Sequence, residues 1–390
     1  MTPLPIPSPA TRKPSRILLT VDAVTGVWSY ALELARALRP HGIETTLAVM
    51  GTPPTPHQNA EASAVTNLCL QPKPALLEWM TSPWGEAGRT ADWLLKLEAD
   101  TNPDLVHLNS ASHAALPWAA PTLVTIHTER CQRENSDAPE TCRDTAYRKA
   151  VASGLRAADL VVAPTRAMAD ALCRIYPGEA LRCPPRVIPH ARCRSRFPCR
   201  NNKRDFILTA AARAWEPNKN LRTLDEAAAT LPWPLFLAGN LQPHDAGEAP
   251  AAYRHLDPLG QLHQGDLANW MSLASIYAHP ALHEPFGVAV LEAALSGCAL
   301  VLSDIPSLRE IWRDAALYVP PAQPRLWSNT LHRLIQNAPL RVTMAARARR
   351  HALNYHPEQM AESYVEAYTD LLMQTPLSTA PSTSSLELLS

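Results

Sequence analysis

Glycine is scarce in this sequence: 13 residues in 390, against 38 prolines. Six of the glycines fall between Gly239 and Gly297, so turns that need a permissive backbone concentrate in one stretch of the second half. Net charge is lacking too, because 36 basic residues balance 36 acidic ones. A neutral chain has no general attraction to nucleic acid or to an anionic membrane. The eight cysteines include no Cys-x-x-Cys pair and no zinc-ligand spacing. Cys183, Cys193 and Cys199 cluster irregularly near His190 and read as free thiols. No apolar run approaches the ~20 residues of a membrane span. The opening MTPLPIPSPATRKPSR is proline-rich without an apolar signal core, which sets a cytoplasmic protein as the expectation. The loop after the first apolar run lacks G-x-G-x-x-G, so there is no dinucleotide fingerprint and no cofactor is expected.

What the sequence does hold is an apolar content of 46%, enough for two sizeable cores. Strand and helix patterns alternate, as in parallel α/β domains. Arg16–Val21 reads as a strand, Ser29–Leu38 as a helix ended by His41-Gly42, and Ile43–Met50 as the next strand. Leu76–Met80 and Asp92–Glu98 read as helices joined by a Trp-rich connection (Trp79, Trp84, Trp93). Those rings serve packing, with sugar stacking as the alternative. Asp104–Leu108 and Leu123–Ile126 are strands; His107 lies inside the first and His127 at the end of the second. Strand ends are where α/β sheets collect ligands, so His127 is the candidate and His107 a packed histidine. Cys131–Glu140 reads as a polar loop. Thr145–Ala157, Leu160–Ala163 and Ala167–Ile175 continue the alternation.

The stretch His283–Ser303, HEPFGVAVLEAALSGCALVLS, organises the rest. Glu284 ends a loop, Gly287 opens a helix carrying Val288, Leu291 and Leu295, and Glu292 sits about one turn inside it. A helix N-terminus with unpaired N–H groups is an anion site, and glycine lets a phosphate approach. Carboxylates on either side can take hydroxyls. Hydroxyls at both ends of a diphosphate describe a sugar nucleotide. The alternative is an amphipathic helix with two solvated carboxylates. Upstream, Arg213 and Lys219 lie six apart where a strand, Phe206–Ala210, runs towards a helix through Leu224 and Ala228. An arginine fork and a lysine point charge at that spacing can both reach a diphosphate. Two unrelated surface cations is the plainer reading.

The string Glu284-Pro-Phe-Gly-Val-Ala-Val-Leu-Glu292, followed by Gly297, Ser303-Asp304-Ile305-Pro306 and Glu310, resembles the E-x7-E signature of retaining glycosyltransferases of family 4. The resemblance runs from Arg16 to Leu372 and is strongest from Arg213 to Pro320. It implies a GT-B fold: two Rossmann-like, doubly wound parallel-sheet domains facing an interdomain cleft. The expected layout is a disordered leader (1–14), an acceptor-side domain (15–200), a donor domain (201–356), a terminal helix crossing back (357–373) and a disordered tail (374–390).

The same resemblance implies a hexosyltransferase-type, metal-independent enzyme that uses a nucleotide-diphosphate sugar as co-substrate and retains anomeric configuration. Arg213, Lys219, Glu284 and His127 would be catalytic. Arg213, Lys219, Glu284, Phe286, Gly287, Val288 and Glu292 would hold the donor. Gly26, Trp28 and His127 would lie on the acceptor side. The family's N-terminal loop usually has two glycines; here Thr25 stands in the first position. The family's Ile-Pro-Asn-Gly turn is Ile188-Pro189-His190-Ala191, its Gly before the arginine is Ala212, and the base is expected near Leu259–Asp266. Rival readings are a phosphorylase or epimerase on the same fold, and a non-catalytic nucleotide-sugar scaffold. The basic stretch Arg182, Arg186, Arg192, Arg194, Arg196, Arg200, Lys203 and Arg204 reads as a solvated interdomain linker. An anionic acceptor or a membrane surface at that stretch is the second reading.

Overall fold

The computed structural model describes residues 13–24, 26–74, 87–127, 142–178, 181, 183–242 and 252–374. The expected helix at Leu76–Met80, Trp79 and Trp84, the loop at Cys131–Glu140, Thr25 and Arg182 lie outside them, as do the tail from residue 375 and the leader up to residue 12. Pro14, two residues before the first strand, is already buried.

Two parallel sheets carry the chain. The first holds β1 (Arg16–Asp22), β2 (Glu44–Gly51), β3 (Leu68–Pro74), β4 (Leu105–Leu108), β5 (Thr122–Thr125), β6 (Leu160–Ala163) and β7 (Arg186–Val187), in the order β3-β2-β1-β4-β5-β6-β7. The second holds β8 (Arg204–Arg213), β9 (Leu235–Asn240), β10 (Leu256–Gly260), β11 (Ala274–His279), β12 (Ala299–Ser303) and β13 (Leu317–Val319), in the order β10-β9-β8-β11-β12-β13. This is the expected pair of doubly wound, Rossmann-like domains of the GT-B fold. Central strands such as β12, ALVLS, are buried at every position because helices cover both faces. Strand prolines sit only where a missing N–H does no harm: Pro72 and Pro74 on edge strand β3, Pro258 on edge strand β10.

Each sheet reverses its winding beside its first strand, between β1 and β4 and between β8 and β11. Ligands collect at the carboxyl ends of strands at such points. The loops there are those after Asp22, Leu108, Arg213 and His279; they carry Gly26, Asn109, Lys219, Glu284, Phe286 and Gly287.

Several elements have no counterpart in the sequence expectations, among them a helix and a strand in the first domain. Helix α2 (Pro56–Ser63) starts at a Thr55/Gln58 capping box with Pro56 at its first position. Strand β3 follows, and its prolines and alternating exposure disguise it. The last helix, α12 (Pro357–Gln374), leaves the second domain and packs against α1 (Val27–Leu38) of the first. A buried polar chain fastens it there. Tyr30 and Tyr364 hydroxyls meet at 2.6 Å, Tyr364 meets Thr125 Oγ1 at 3.0 Å, and His107 lies between Thr125 Oγ1 (2.8 Å) and the Tyr368 hydroxyl (2.7 Å). His107 is thus a packed histidine with both nitrogens engaged.

One close approach fixes the second sheet's binding end. Gly239, near the end of β9, has φ +145°, and a Cβ there would stand 1.8 Å from the Ala211 carbonyl oxygen. Gly239→Ala is therefore expected to destabilise the protein by about 1–3 kcal/mol, as overpacking does. Denaturant unfolding checks it, and an unchanged midpoint would remove the argument.

Candidate functional site

The second domain's half of the site is two loops pinned together. Asn220 adopts a left-handed conformation (φ +53°), which asparagine tolerates. Its Nδ2 donates to the carbonyls of Pro280 (2.9 Å) and Pro321 (2.8 Å). Leu282 N donates to Asn218 O at 2.8 Å. The loop after β8 is thereby fixed to the loop after β11, and Lys219 meets Glu284.

Glu284 is the hub. Its carboxylate accepts from Lys219 Nζ (3.4 Å), His279 Nε2 (3.0 Å) and the backbone N–H of Gly287 (3.2 Å). Burial pushes its pKa up, but Lys219, the His279 hydrogen bond and His283 outweigh that and hold the carboxyl well below the usual range. Ser307 Oγ donates to the Glu284 carbonyl and fixes the backbone as well. Gly287 caps helix α8 (Val288–Leu295) with φ +86°, the left-handed region that favours glycine. The first N–H groups of a helix have no partner within it, so an anion seated beside Glu284 and Lys219 would meet them. Arg213, at the end of β8, forms an ion pair with Glu216 at 3.2 Å on the same loop.

Other expected residues stand differently. Val288 is half-buried in the first turn of α8. The Phe286 side chain is buried and packs edge-on against His190 (5.2 Å) and Tyr355 (5.6 Å), leaving its backbone to the loop. Glu292 is 6% exposed and paired at 2.7 Å with Arg192, itself 3% exposed. Trp28 is buried in the first core with its indole N–H on Glu61 Oε2 at 3.4 Å, so packing takes up its ring. Gly26 is exposed, and nothing lies within 4 Å of a Cβ built on it.

On the first domain, His127 follows β5 as expected. Its Nε2 lies 2.7 Å from Asn109 Oδ1, and Asn109 comes from the end of β4. Its Nδ1 lies 3.3 Å from His190 Nε2. The two imidazoles stack, with centroids 5.0 Å apart and planes at 13°, and Tyr30 meets both edge-on. Burial pushes His127 down to about 3 and His190 well below its ordinary value, the latter helped by His127 and Arg192.

The reading of Arg182–Arg204 as a solvated linker holds for the exposed Arg194, Arg200 and Arg204 and needs correction at four other residues. Arg186 pairs with Asp370 of α12 (2.5 Å), Arg192 with Glu292, and Arg196 with Glu61 (2.6 Å). Lys203 donates to the carbonyls of Ser296 (2.6 Å) and Met271 (3.2 Å). A run of like charges stays together here because each of these side chains reaches a separate acceptor on a different element. More contacts join the lobes. Thr165 Oγ1 donates to Pro285 O at 2.9 Å, and the N–H groups of Arg166 and Ala167, opening α5 (Arg166–Ile175), both donate to the Glu310 carboxylate (2.7 and 2.8 Å). Sequence reasoning gave no role to His190, Arg192, Asn220 or His279. Position was the available signal for two of them: His279 ends β11 and His190 lies three residues beyond β7.

Comparison with known proteins fits this geometry. A model of the Glycosyltransferase Family 4 matches residues 24–192, and a model of Glycosyl transferases group 1 matches residues 194–351. A D-inositol 3-phosphate glycosyltransferase of Nocardioides sp. is 30% identical over 134 residues, 34% of this chain and 29% of the relative. The serotype-specific mannosyltransferase WbdA of Escherichia coli is 34% identical over 126 residues, 28% of this chain and 15% of the relative. The matched stretches thus span less than a third of either relative. Among solved structures, the sucrose-phosphate synthase of Thermosynechococcus elongatus superposes with a TM-score of 0.74 at 18% identity, covering 93% of this chain and 100% of the other. Anabaena HepE in complex with UDP and glucose gives 0.72 at 15% identity, covering 91% and 100%. At such identities the structural likeness speaks to the fold.

Proposed function

We propose that the chain, whose two halves match two glycosyltransferase models, is a GT-B glycosyltransferase that moves a hexose from a nucleoside-diphosphate sugar to a hydroxyl acceptor, keeping the anomeric configuration. The observation that carries this reading is the convergence of Lys219, Glu284 and the Gly287 N–H on one point at the switch of the second sheet. As the glycosidic bond breaks, the leaving diphosphate gains negative charge. Arg213, Lys219 and the open end of α8 would meet that charge. Preorganised donors are worth about 2.7–4 kcal/mol each in a water-excluded site. Glu284, held ionised, would accept hydrogen bonds from the sugar hydroxyls, and Glu292 from the ribose. His127 and the Gly26 loop would serve the acceptor side. The sugar's facial outcome follows from holding donor and acceptor on one face, with no pair of carboxylates flanking the bond as in a hydrolase.

The charge work is assigned to side chains and a helix end rather than to a divalent cation. The test is a screen of UDP-, GDP- and ADP-hexoses for slow hydrolysis and then for transfer to sugar and polyol acceptors, with product configuration read by NMR. Turnover with one donor class, an α-linked product from an α-linked donor, and a rate unaltered by EDTA are expected. Inertness towards every donor, or an inverted product, would overturn the reading.

A further inference from the structure

The tautomers of the two stacked histidines follow from their partners. Asn109 Nδ2 donates to the Thr20 carbonyl at 2.6 Å, and Asn109 N donates to Thr20 Oγ1 at 3.0 Å. Reversing the amide would set two carbonyl oxygens face to face, so Asn109 Oδ1 is an acceptor towards His127. The proton of a neutral His127 is then on Nε2, and its Nδ1 carries a lone pair. Only a donor suits that lone pair, so His190 holds its own proton on Nε2, 3.3 Å away. The lone pair left at the end of this chain is on His190 Nδ1. That atom is buried and has no hydrogen-bond partner among the described residues. Both nitrogens of His127, by contrast, are engaged.

His190 stands where the lobes meet. Tyr30 and His127 of the first domain lie 4.9 and 5.0 Å from its ring, and Phe286 of the second lies 5.2 Å away. It also forms part of the wall of a cavity of about 230 Å³ shared with Arg313, Tyr355, Gln359 and Ser363. The Glu284 carboxylate is close enough to act on it electrostatically. We propose that His190 Nδ1 accepts the hydrogen bond of a substrate hydroxyl, and that His127 is a positioning residue which, through Asn109, keeps His190 in the tautomer able to do so. This rests on the reading of the cleft as a glycosyl-transfer site and reassigns the hydroxyl contact from His127. Buried acceptors without donors are rare in folded proteins, and a ligand hydroxyl is the donor this position lacks.

Two measurements test it. In protein labelled with ¹⁵N-histidine, long-range ¹H–¹⁵N correlation at neutral pH should show His127 and His190 both protonated at Nε2; a proton on His190 Nδ1 overturns the inference. With the donor and acceptor found by the screen, His190→Ala and His190→Phe should each lower kcat about 100-fold. Donor KM should stay near wild type in both; His190→Ala should melt lower because it empties a buried site, whereas His190→Phe refills that space and separates the loss of the acceptor from the loss of packing. His127→Ala added to His190→Ala should cost nothing more, as for residues acting as a unit. Added imidazole should restore part of the His190→Ala rate. Wild-type kcat in His190→Phe, or additive losses in the double variant, overturns it. Inertness towards every donor would remove the transfer reading instead. The spectrum is then recorded with free glucose, and an unmoved His190 Nδ1 signal overturns this inference on its own.

Discussion

Lys219→Ala should lower kcat by about 10²–10³-fold, the loss typical of one preorganised donor removed from developing charge. Two effects combine. The first is direct: in the proposed reading, the ammonium 3.4 Å from Glu284 is one of two cations facing the leaving diphosphate. The second acts through Glu284. Lys219 is the largest of the influences that hold the Glu284 carboxyl down against burial. Its removal leaves His279, His283 and the Gly287 N–H to hold the carboxylate, and the carboxyl pKa rises. The sign of the pH effect follows. A depressed carboxyl contributes stability above its unfolded pKa and loses it as pH falls through the folded value. Lys219→Ala should therefore move the acid limb of both activity and stability to higher pH, while Lys219→Arg should keep most of both. Steady-state kinetics across pH, with melting curves on the same samples, check this. A Lys219→Ala enzyme with wild-type kcat and an unshifted acid limb would contradict both effects.

The second sheet's site was legible because its residues are close in sequence and its backbone demands are specific. Glu284, Gly287 and Glu292 belong to one loop and one helix, and Gly287 needs a left-handed conformation that few residues accept. The cations at Arg213 and Lys219 were legible for the same reason, being one loop after one strand. Partners brought together by the closing of two lobes were not legible. Arg192 and Glu292 are 100 residues apart, and His127 and His190 are 63 apart. Nothing in the local pattern says that a basic run will be distributed, one side chain at a time, to Asp370, Glu292 and Glu61. Trp28 and Phe286, placed at the site by the resemblance, have rings with enough apolar neighbours to be drawn into the two cores. Strand β3 and helix α2 escaped because one is proline-bearing and the other polar, although the capping box at Thr55 marked the helix start.

Arg192→Ala should destabilise the protein by about 3–5 kcal/mol, the cost of leaving a buried carboxylate without its counter-charge. Arg192 and Glu292 have side chains 3% and 8% exposed, and Nε donates to Oε1 at 2.7 Å. Water reaches neither group well enough to replace the lost partner. Glu292→Ala strands the guanidinium in the same way. Replacing both with methionine removes the two charges together, and such swaps are often neutral or stabilising. The double variant should therefore melt well above either single variant. Function separates the variants differently. In the proposed reading the free Glu292 oxygen accepts from the donor's ribose, so every variant lacking Glu292 should bind nucleoside diphosphate weakly, however stable it is. Arg192 comes from the segment that joins the lobes and Glu292 from the donor helix, so the pair makes the donor site answer to the position of that segment. Glu292→Gln separates the two roles: it keeps an oxygen for Arg192 and a hydrogen-bonding group for ribose but no charge. It should stand between wild type and Glu292→Ala in both melting temperature and nucleotide affinity, read by calorimetry with UDP, GDP and ADP. Single variants as stable as wild type, or a double variant no better than either, would show that the pair is solvated rather than buried.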